Sequence, residues 1–219
     1  MIWSLLPTIA APMPFQMALD EVLFESQKGK GHDPLLRFYV SSETWISVGY
    51  SFRDEAALGK SSMILQNPRV PVCRRITGGG CVLHGKDLIF SLIAPFANSE
   101  SALGSVRTSY KMLHDAVQAG LQSLGLDAKF YACNTSLPKG SDCFDFPVES
   151  DLSWNGKKIA GGAQKRSDGV LLHHESISIP AGIGRDAIIC AIRAGLEKVF
   201  NVTIQNVDMN PDIYFQVPR

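Results

Sequence analysis

The sequence has no excess of charge of either sign and no long apolar run. Its 219 residues include 21 Lys and Arg against 21 Asp and Glu, so the formal net charge is zero. Without a basic block, the chain lacks the bulk electrostatics by which proteins hold nucleic acid or anionic membranes. No apolar stretch approaches the roughly 20 residues that span a bilayer. We therefore expect neither nucleic acid nor a membrane as a partner.

Paired cysteines are also missing. No two of the cysteines form the C-x-x-C pair that binds zinc or cycles between dithiol and disulfide. We therefore expect no metal site and a reducing, cytoplasmic location. Taken without context, each cysteine is predicted to be a small buried hydrophobe. The five are Cys73, Cys81, Cys133, Cys143 and Cys190.

No internal repeat or low-complexity tract divides the chain, which predicts one domain over residues 1–219. Apolar residues spaced by three or four predict helices from Pro14 onward, over 103–124 and over 185–200. Short β-rich runs predict strands, and the polar SSE between LLRFYV and TWISVGY predicts a hairpin-like turn. Because helices and strands are grouped and do not strictly alternate, we expect an α+β fold with a mixed or mostly antiparallel sheet flanked by helices.

The most unusual segment is RRITGGGCVLH, residues 74–84. Three consecutive glycines cost about 1 kcal/mol each in a regular element relative to alanine, so the run indicates a close backbone approach or positive φ. Arg74 and Arg75 supply fixed positive charge and bidentate donors. Together these features suit a carboxylate or phosphate cradled by backbone N–H groups. The alternative is a tight hairpin with two solvated arginines.

A second unusual segment, residues 141–166, has an acidic first half that includes Asp151 and a basic second half that includes Lys158. The Asn155-Gly156 pair predicts a type I′ hairpin turn, which would fold one half onto the other. The simplest outcome is charge pairing at the surface. The functional alternative is a lysine beside Cys143, which would lower the pKa of that thiol from about 8.5 and yield a nucleophilic thiolate.

Four segments, taken in order, resemble the signatures of the biotin/lipoate protein ligase and octanoyltransferase superfamily. They are MALDEVLF, LLRFYVSSETWISVGY, RRITGGGCVLHGKDLIFSL and CFDFPVESDLSWNGKKIAGGAQKRSDGVLLHHESI. The resemblance implies a catalytic domain of that type, and we expect no accessory C-terminal domain after the last helix. The chain looks closest to the cysteine-dependent octanoyltransferases, which move an octanoyl group from acyl carrier protein to a lysine of a lipoyl domain.

The resemblance also implies partners and site residues. The partners would be acyl carrier protein and lipoyl-domain proteins, either the glycine cleavage H protein or the E2 component of a 2-oxoacid dehydrogenase. Cys143, in a C-F-x-x-P segment, would be the nucleophile, and Lys158 the cation of the site. The arginine before the glycine run and the loop after it would line the acyl or acyl-adenylate pocket: Arg75, Gly78, Gly79, Gly80, Cys81, Val82, Leu83 and His84.

Two alternatives to octanoyl transfer stay open. The Gly-Gly-Gly run stands where many octanoyltransferases have Gly-Gly-Arg, and the triplet is typical of lipoate-protein ligases, which would need ATP and Mg. A thioester on Cys143 would conserve the bond energy of the donor thioester and need no cofactor, so Cys143 favours transfer. A non-catalytic module that binds an acyl group or a protein with the same fold is the third interpretation, since a fold alone does not fix a function.

Overall fold

The computed structural model describes residues 1–29, 33–50, 61–96, 102–131 and 151–218. Its strands are β1 (Ile2–Ala11), β2 (Leu35–Ser41), β3 (Trp45–Val48), β4 (Val72–Arg74), β5 (Cys81–His84), β6 (Asp87–Pro95), β7 (Lys129–Phe130), β8 (Leu152–Trp154), β9 (Lys157–Ser167), β10 (Val170–Ser178) and β11 (Thr203–Asn206). Its helices are α1 (Met13–Gln27), α2 (Ser62–Gln66), α3 (Val106–Ser123), α4 (Arg185–Phe200) and α5 (Pro211–Gln216).

Local sequence explains where the long helices begin and end. α1 has Pro14 in its first turn, where the missing backbone N–H is not needed. α3 begins after Ser105, whose hydroxyl accepts a hydrogen bond from the Thr108 backbone N–H at 3.0 Å. Gly125, with a φ of +79°, follows the end of α3, and Asn201 closes α4 in the left-handed conformation. The three helices predicted from apolar spacing are confirmed.

The strands of the described residues form two mixed sheets, which confirms the expected α+β class. The large sheet has the order β11-β1-β2-β6-β10-β9-β8-β7, and the small sheet has the order β4-β3-β5. In the large sheet β1 runs parallel to both β11 and β2, while the remaining neighbours are antiparallel. The predicted turn between β8 and β9 is confirmed, because both Asn155 and Gly156 have positive φ.

The predicted hairpin between β2 and β3 is wrong. β2 lies between β1 and β6 in the large sheet, whereas β3 pairs with β4 and β5 in the small sheet. Both edges of β2 are therefore already paired, so β3 has no edge of β2 to join. The polar residues 42–44 instead carry the chain from one sheet to the other.

Helices cover both faces of the large sheet. One core cluster joins the sheet to α3 and α4, and a second joins it to α1. Neighbouring residues of β10 alternate between the two clusters, because Leu171 belongs to the first and Leu172 to the second. α3 and α4 approach so closely that a Cβ on Gly120 would lie 2.7 Å from the carbonyl oxygen of Ala191. No helix in the described part of the chain is long and apolar enough to cross a membrane.

The cysteines do not all follow the expectation of burial. Cys81 is buried as predicted and Cys73 is half-buried, but Cys190 on α4 is exposed, so its prediction is wrong. α4 packs on the sheet through Ile188 and Ile192, and Cys190, two positions from each of them, lies on the opposite side of the helix. Cys133 and Cys143 lie outside the described residues.

Candidate active site

A cavity lies between the large sheet, the small sheet and the first turns of α1. One part of its wall is apolar and consists of Met13, Met17, Ile89 and Val82. The other part is polar and includes Lys158, Arg75, Ser47, His84, His174 and Glu175. The cavity therefore places a surface suited to a hydrocarbon chain next to ionisable groups.

Lys158 reaches the cavity because of a β-bulge. The pairing of β8 with β9 shifts register between Leu152 and Ser153, which leaves Ile159 as an extra residue on β9. The extra residue reverses the alternation of side chains, so Lys158 shares a face of the strand with Gly161. A Cβ on Gly161 would overlap the Cε and Nζ atoms of Lys158, so the glycine leaves the space that the lysine occupies.

Lys158 forms an ion pair with Asp151. The Nζ atom lies 2.8 Å from Asp151 Oδ2, and the two side chains are only 6% and 4% exposed. The charge pairing expected between the two halves of this segment therefore occurs, but inside the protein and not at the surface. A buried pair interacts far more strongly than an exposed one, so Asp151 fixes the position of the Lys158 ammonium in the cavity wall.

Arg75 braces the glycine loop from within. It is 4% exposed, and its guanidinium donates hydrogen bonds to the carbonyl oxygens of Gly78 and Gly80 at 2.8 and 2.9 Å and of Ser47 at 3.1 Å. The alternative of a solvated arginine is therefore wrong for Arg75. The glycines serve close packing, because a Cβ on Gly49 would overlap the carbonyl oxygen of Gly79.

Some of the expected pocket residues line the cavity and others do not. Arg75, Val82 and His84 line it, and Gly78, Gly79 and Gly80 form the loop that Arg75 braces. Cys81 points to the other side of the small sheet, where it packs with Ile46 and Val48. Leu83 is 41% exposed. The expected nucleophile, Cys143, lies outside the described residues.

A hydrogen-bonded series that we call the Asp87 network contains Ser47, His84, Asp87 and Ser176. All of these except Asp87 line the cavity. Ser47 Oγ lies 2.7 Å from His84 Nε2, and His84 Nδ1 lies 2.7 Å from Asp87 Oδ2. Ser176 donates to the same carboxylate oxygen at 2.7 Å. Burial would raise the pKa of Asp87, but the nearby His84 and these hydrogen bonds lower it, so the carboxylate is ionised.

A second series, the Asp20 network, contains Thr77, His174, Asp20 and Arg37. Thr77 Oγ1 lies 3.0 Å from His174 Nδ1, and His174 Nε2 lies 3.0 Å from Asp20 Oδ2. Arg37 forms a buried ion pair with Asp20 at 2.6 Å. Burial would raise the pKa of Asp20, but the charge of Arg37 and the bond from His174 hold it at about 2.

Glu175 is another buried carboxylate of the region. It accepts hydrogen bonds from the Nε2 atoms of His114 on α3 and His173 on β10, at 2.9 and 2.8 Å. Burial would raise the pKa of Glu175, but His114 and His173 hold it at about 2, while burial lowers the pKa of His173. Among the residues described, no set of His, Cys, Asp and Glu has an arrangement that could hold a metal ion.

Sequence reasoning missed the partners of these histidines. His84 and Asp87 are three residues apart across the turn between β5 and β6, which is a signal that a search for His-x-x-Asp could have found. Ser47 comes from β3 and Asp20 from α1, far from their histidines in sequence. No local pattern could have identified either of these two.

The chain is similar to known proteins in both sequence and fold. Residues 12–183 match the model of the lipoyl protein ligase A/B catalytic domain. The octanoyltransferase LipM of Exiguobacterium sp. (strain ATCC BAA-1283 / AT1b) is 37% identical over 186 residues, which is 81% of this chain and 66% of that protein. LipM of Bacillus subtilis (strain 168) is 34% identical over 182 residues, 80% of this chain and 64% of that protein. The chain thus spans just under two thirds of the length of these relatives.

Solved structures share the fold. A putative lipoate protein ligase from T. acidophilum has a TM-score of 0.78 at 22% identity, covering 99% of this chain and 92% of its own. A lipoate-protein ligase A bound with ATP has a TM-score of 0.74 at 21% identity, covering 98% of this chain and 91% of its own. The expectation of a ligase-type fold is confirmed.

Proposed function

Because this chain belongs to the lipoyl protein ligase A/B catalytic domain family, we propose that it transfers an octanoyl group from acyl carrier protein to a lipoyl-domain lysine through a thioester on Cys143. The observation that carries this proposal is the buried Lys158 ammonium, held by Asp151 next to an apolar wall. The sequence identity of 34% and 37% to two octanoyltransferase LipM proteins, over four fifths of this chain, supports octanoyl transfer over ligation.

The apolar wall of the cavity would hold the acyl chain. Met13, Met17 and Ile89 offer a surface without charge, and burying each methylene of the chain against it contributes about 0.8 kcal/mol. The carboxyl end of the acyl group would then point toward the polar wall. This orientation would bring the carbonyl oxygen, on which negative charge develops during the reaction, near Lys158.

In the first step, the Cys143 thiolate attacks the thioester carbonyl of the octanoyl carrier protein. A new C–S bond to the enzyme forms, the C–S bond to the carrier breaks, and the carrier leaves as a thiol after taking a proton. The Lys158 ammonium would favour the thiolate and stabilise the oxyanion that forms on the carbonyl oxygen. The energy of the thioester is conserved, so the step consumes no ATP.

In the second step, a neutral lysine amine of the acceptor attacks the acyl-enzyme. A C–N bond forms, the C–S bond to Cys143 breaks, and the proton that the nitrogen loses goes to the departing thiolate. We propose a lipoyl domain as the acceptor, either the glycine cleavage H protein or the E2 component of a 2-oxoacid dehydrogenase.

The test incubates the full chain with octanoyl carrier protein in the absence of ATP and follows the protein by intact-mass spectrometry. We expect one octanoyl adduct on the wild type and none on Cys143→Ala, while the matched control Cys190→Ala, on the exposed side of α4, is acylated normally. Lys158→Met should slow acylation by about 100- to 1000-fold, the effect of removing one oxyanion donor. Obligatory ATP, or full activity of Cys143→Ala, would contradict the proposal and favour the ligase.

A further inference from the structure

The transfer step needs a base, because the acceptor lysine carries a proton at neutral pH and an ammonium is no nucleophile. Four groups of the polar wall could take that proton, and two of them already carry charge. Lys158 forms an ion pair with the Asp151 carboxylate. Glu175 has a pKa of about 2, too low for it to hold a proton at neutral pH. The histidines His84 and His174 remain.

The hydrogen bonds of the Asp87 network assign every proton in it. Because Asp87 is ionised, His84 Nδ1 must donate to it, and His84 Nε2 therefore accepts from the Ser47 hydroxyl. Ser47 Oγ also accepts a hydrogen bond from Arg75 Nη1 at 3.0 Å. A hydroxyl oxygen accepts two hydrogen bonds, so one acceptor position of Ser47, at the cavity wall, has no partner among the described residues.

The two aspartates differ in the charge that they can still neutralise. Asp20 accepts four hydrogen bonds, one of them from the Arg37 guanidinium, so its charge is already balanced. Asp87 accepts from the Ser176 hydroxyl, the Gly85 backbone N–H and His84, and none of these donors carries a permanent charge. A proton that arrives on His84 therefore forms an ion pair with Asp87, whereas a proton on His174 would add net charge to a buried network.

We propose that Ser47 is the catalytic residue that accepts the proton of the acceptor lysine, and that His84 and Asp87 act through it as a proton relay. The proposal rests on the proposed function. Ser47 takes one proton from the lysine ammonium while its own proton passes to His84 Nε2, which leaves a neutral amine and an imidazolium paired with Asp87. The amine then forms the C–N bond as the C–S bond breaks, and its second proton goes to the departing thiolate. His84 finally releases its proton to solvent.

Other charged groups face this relay from the surrounding elements. Arg75 donates to Ser47 Oγ, which polarises the hydroxyl and favours the transfer of its proton to His84. Lys158 on β9, with His174 and Glu175 on β10, lines the same cavity.

The decisive experiment distinguishes a variant that has lost the base for the acceptor lysine from a variant in which the shape of the cavity has changed. Full-length wild type and variants are acylated with octanoyl carrier protein, freed of donor, and mixed with either an apo lipoyl domain or hydroxylamine. Hydroxylamine is already neutral at neutral pH and needs no base. The loss of the acyl-enzyme is followed by intact-mass spectrometry in single turnovers.

We expect Ser47→Ala and His84→Gln to slow transfer to the lipoyl domain by at least about 100-fold, the usual contribution of general base catalysis, while cleavage by hydroxylamine stays within about threefold of wild type. The variants should recover as the pH rises, in proportion to the neutral fraction of the acceptor amine. Asp87→Asn should show the same split. The matched control Asp115→Asn, in an exposed pair with Lys111 on α3, should behave as wild type.

Several outcomes would overturn the relay. Equal slowing with both nucleophiles would mean that the network only shapes the cavity. A selective loss in His174→Gln, with none in His84→Gln, would transfer the role to the Asp20 network. If the wild type never forms an acyl-enzyme, the proposed function itself fails and the relay with it, which the mass spectrum distinguishes from the first two results. Should His84→Gln not fold, Ser47→Ala alone decides, because it leaves the pair of His84 and Asp87 in place.

Discussion

The Asp87 and Asp20 networks contain the same three groups in the same order: a hydroxyl, an imidazole and a carboxylate. They differ in the fourth member. Asp87 has Ser176, a neutral hydroxyl, whereas Asp20 has the buried cation Arg37. The Asp87 carboxylate can therefore neutralise a proton that arrives on its histidine, whereas the Asp20 carboxylate is already paired with a guanidinium. One arrangement of side chains thus serves chemistry or stability according to the charge next to it.

The comparison predicts the largest effect for Asp20→Asn. This change leaves the Arg37 guanidinium buried without a counter-charge, so we expect the free energy of unfolding to fall by about 3–5 kcal/mol. Asp87→Asn should cost less than about 2 kcal/mol, because His84 can stay neutral. Urea unfolding of both variants measures the difference. Equal losses would show that the charge of Arg37 does not distinguish the networks.

The loss of stability at acid pH should depend on the ion pair of the Asp20 network. The pKa of Asp20 falls on folding from 3.8 to about 2, so its contribution to stability is complete above its ordinary pKa and is lost as the pH falls from about 4 toward 2. By linkage this loss is on the order of 2 kcal/mol. Unfolding measured at stepwise lower pH should show a shallower decline in Asp20→Asn than in wild type. A decline of the same slope in both would contradict the ion pair.

Two neighbouring glycines of β9 extend the comparison to Lys158 and Glu175. A Cβ on Gly162 would lie 2.6 Å from Glu175 Oε2, a buried group that cannot move, so Gly162→Ala should destabilise the protein by about 1–3 kcal/mol. A Cβ on Gly161 would overlap first the flexible end of Lys158 and would lie 2.8 Å from Asp151 Oδ1. Gly161→Ala should therefore slow acylation while changing the urea midpoint less than Gly162→Ala does. If Gly161→Ala lowered the urea midpoint more than Gly162→Ala, the space next to Gly161 would not be the more adaptable of the two.

The smallest effect is expected from removing the hydroxyls. Thr77→Val deletes one hydrogen bond to a histidine, which should cost about 1 kcal/mol, whereas Ser47→Ala deletes the bond to His84 and the bond from Arg75 and should cost more. Ser47→Ala should therefore unfold at a slightly lower temperature than Thr77→Val, and only Ser47→Ala should be slow in transfer to the lipoyl domain. A slow Thr77→Val would show that both networks carry protons.

Much of the fold could be predicted from local sequence because its causes are local. The apolar spacing and the caps define the three long helices, and Asn155-Gly156 defines a turn by its positive φ. The partner of β3 could not be predicted, since the pattern of a strand does not say which edge is vacant. The exposure of Cys190 depends on which face of α4 meets the sheet.

The candidate site divides in the same way. The sequence pointed to Lys158, Arg75 and His84, which line the cavity. It did not indicate that Arg75 would donate hydrogen bonds to the glycine loop. The acceptors are backbone carbonyl groups, which every residue type has, so no side chain in the sequence marks them. The bulge at Ile159, which aims Lys158, arises from the register of two paired strands.

Composition and motif alone determined the class of fold, the family, and the presence of a cation and a glycine loop near one another. Only the tertiary structure decided which carboxylates stand beside which cations. That decision matters because the charge of a buried network depends on contacts between residues remote in sequence: Asp20 meets Arg37 and His174 through three separate elements, while Asp87 meets a serine. The net charge of zero is the sum over all the charged residues of the chain, and it does not show where they lie. Their positions in space are what distinguish the two networks.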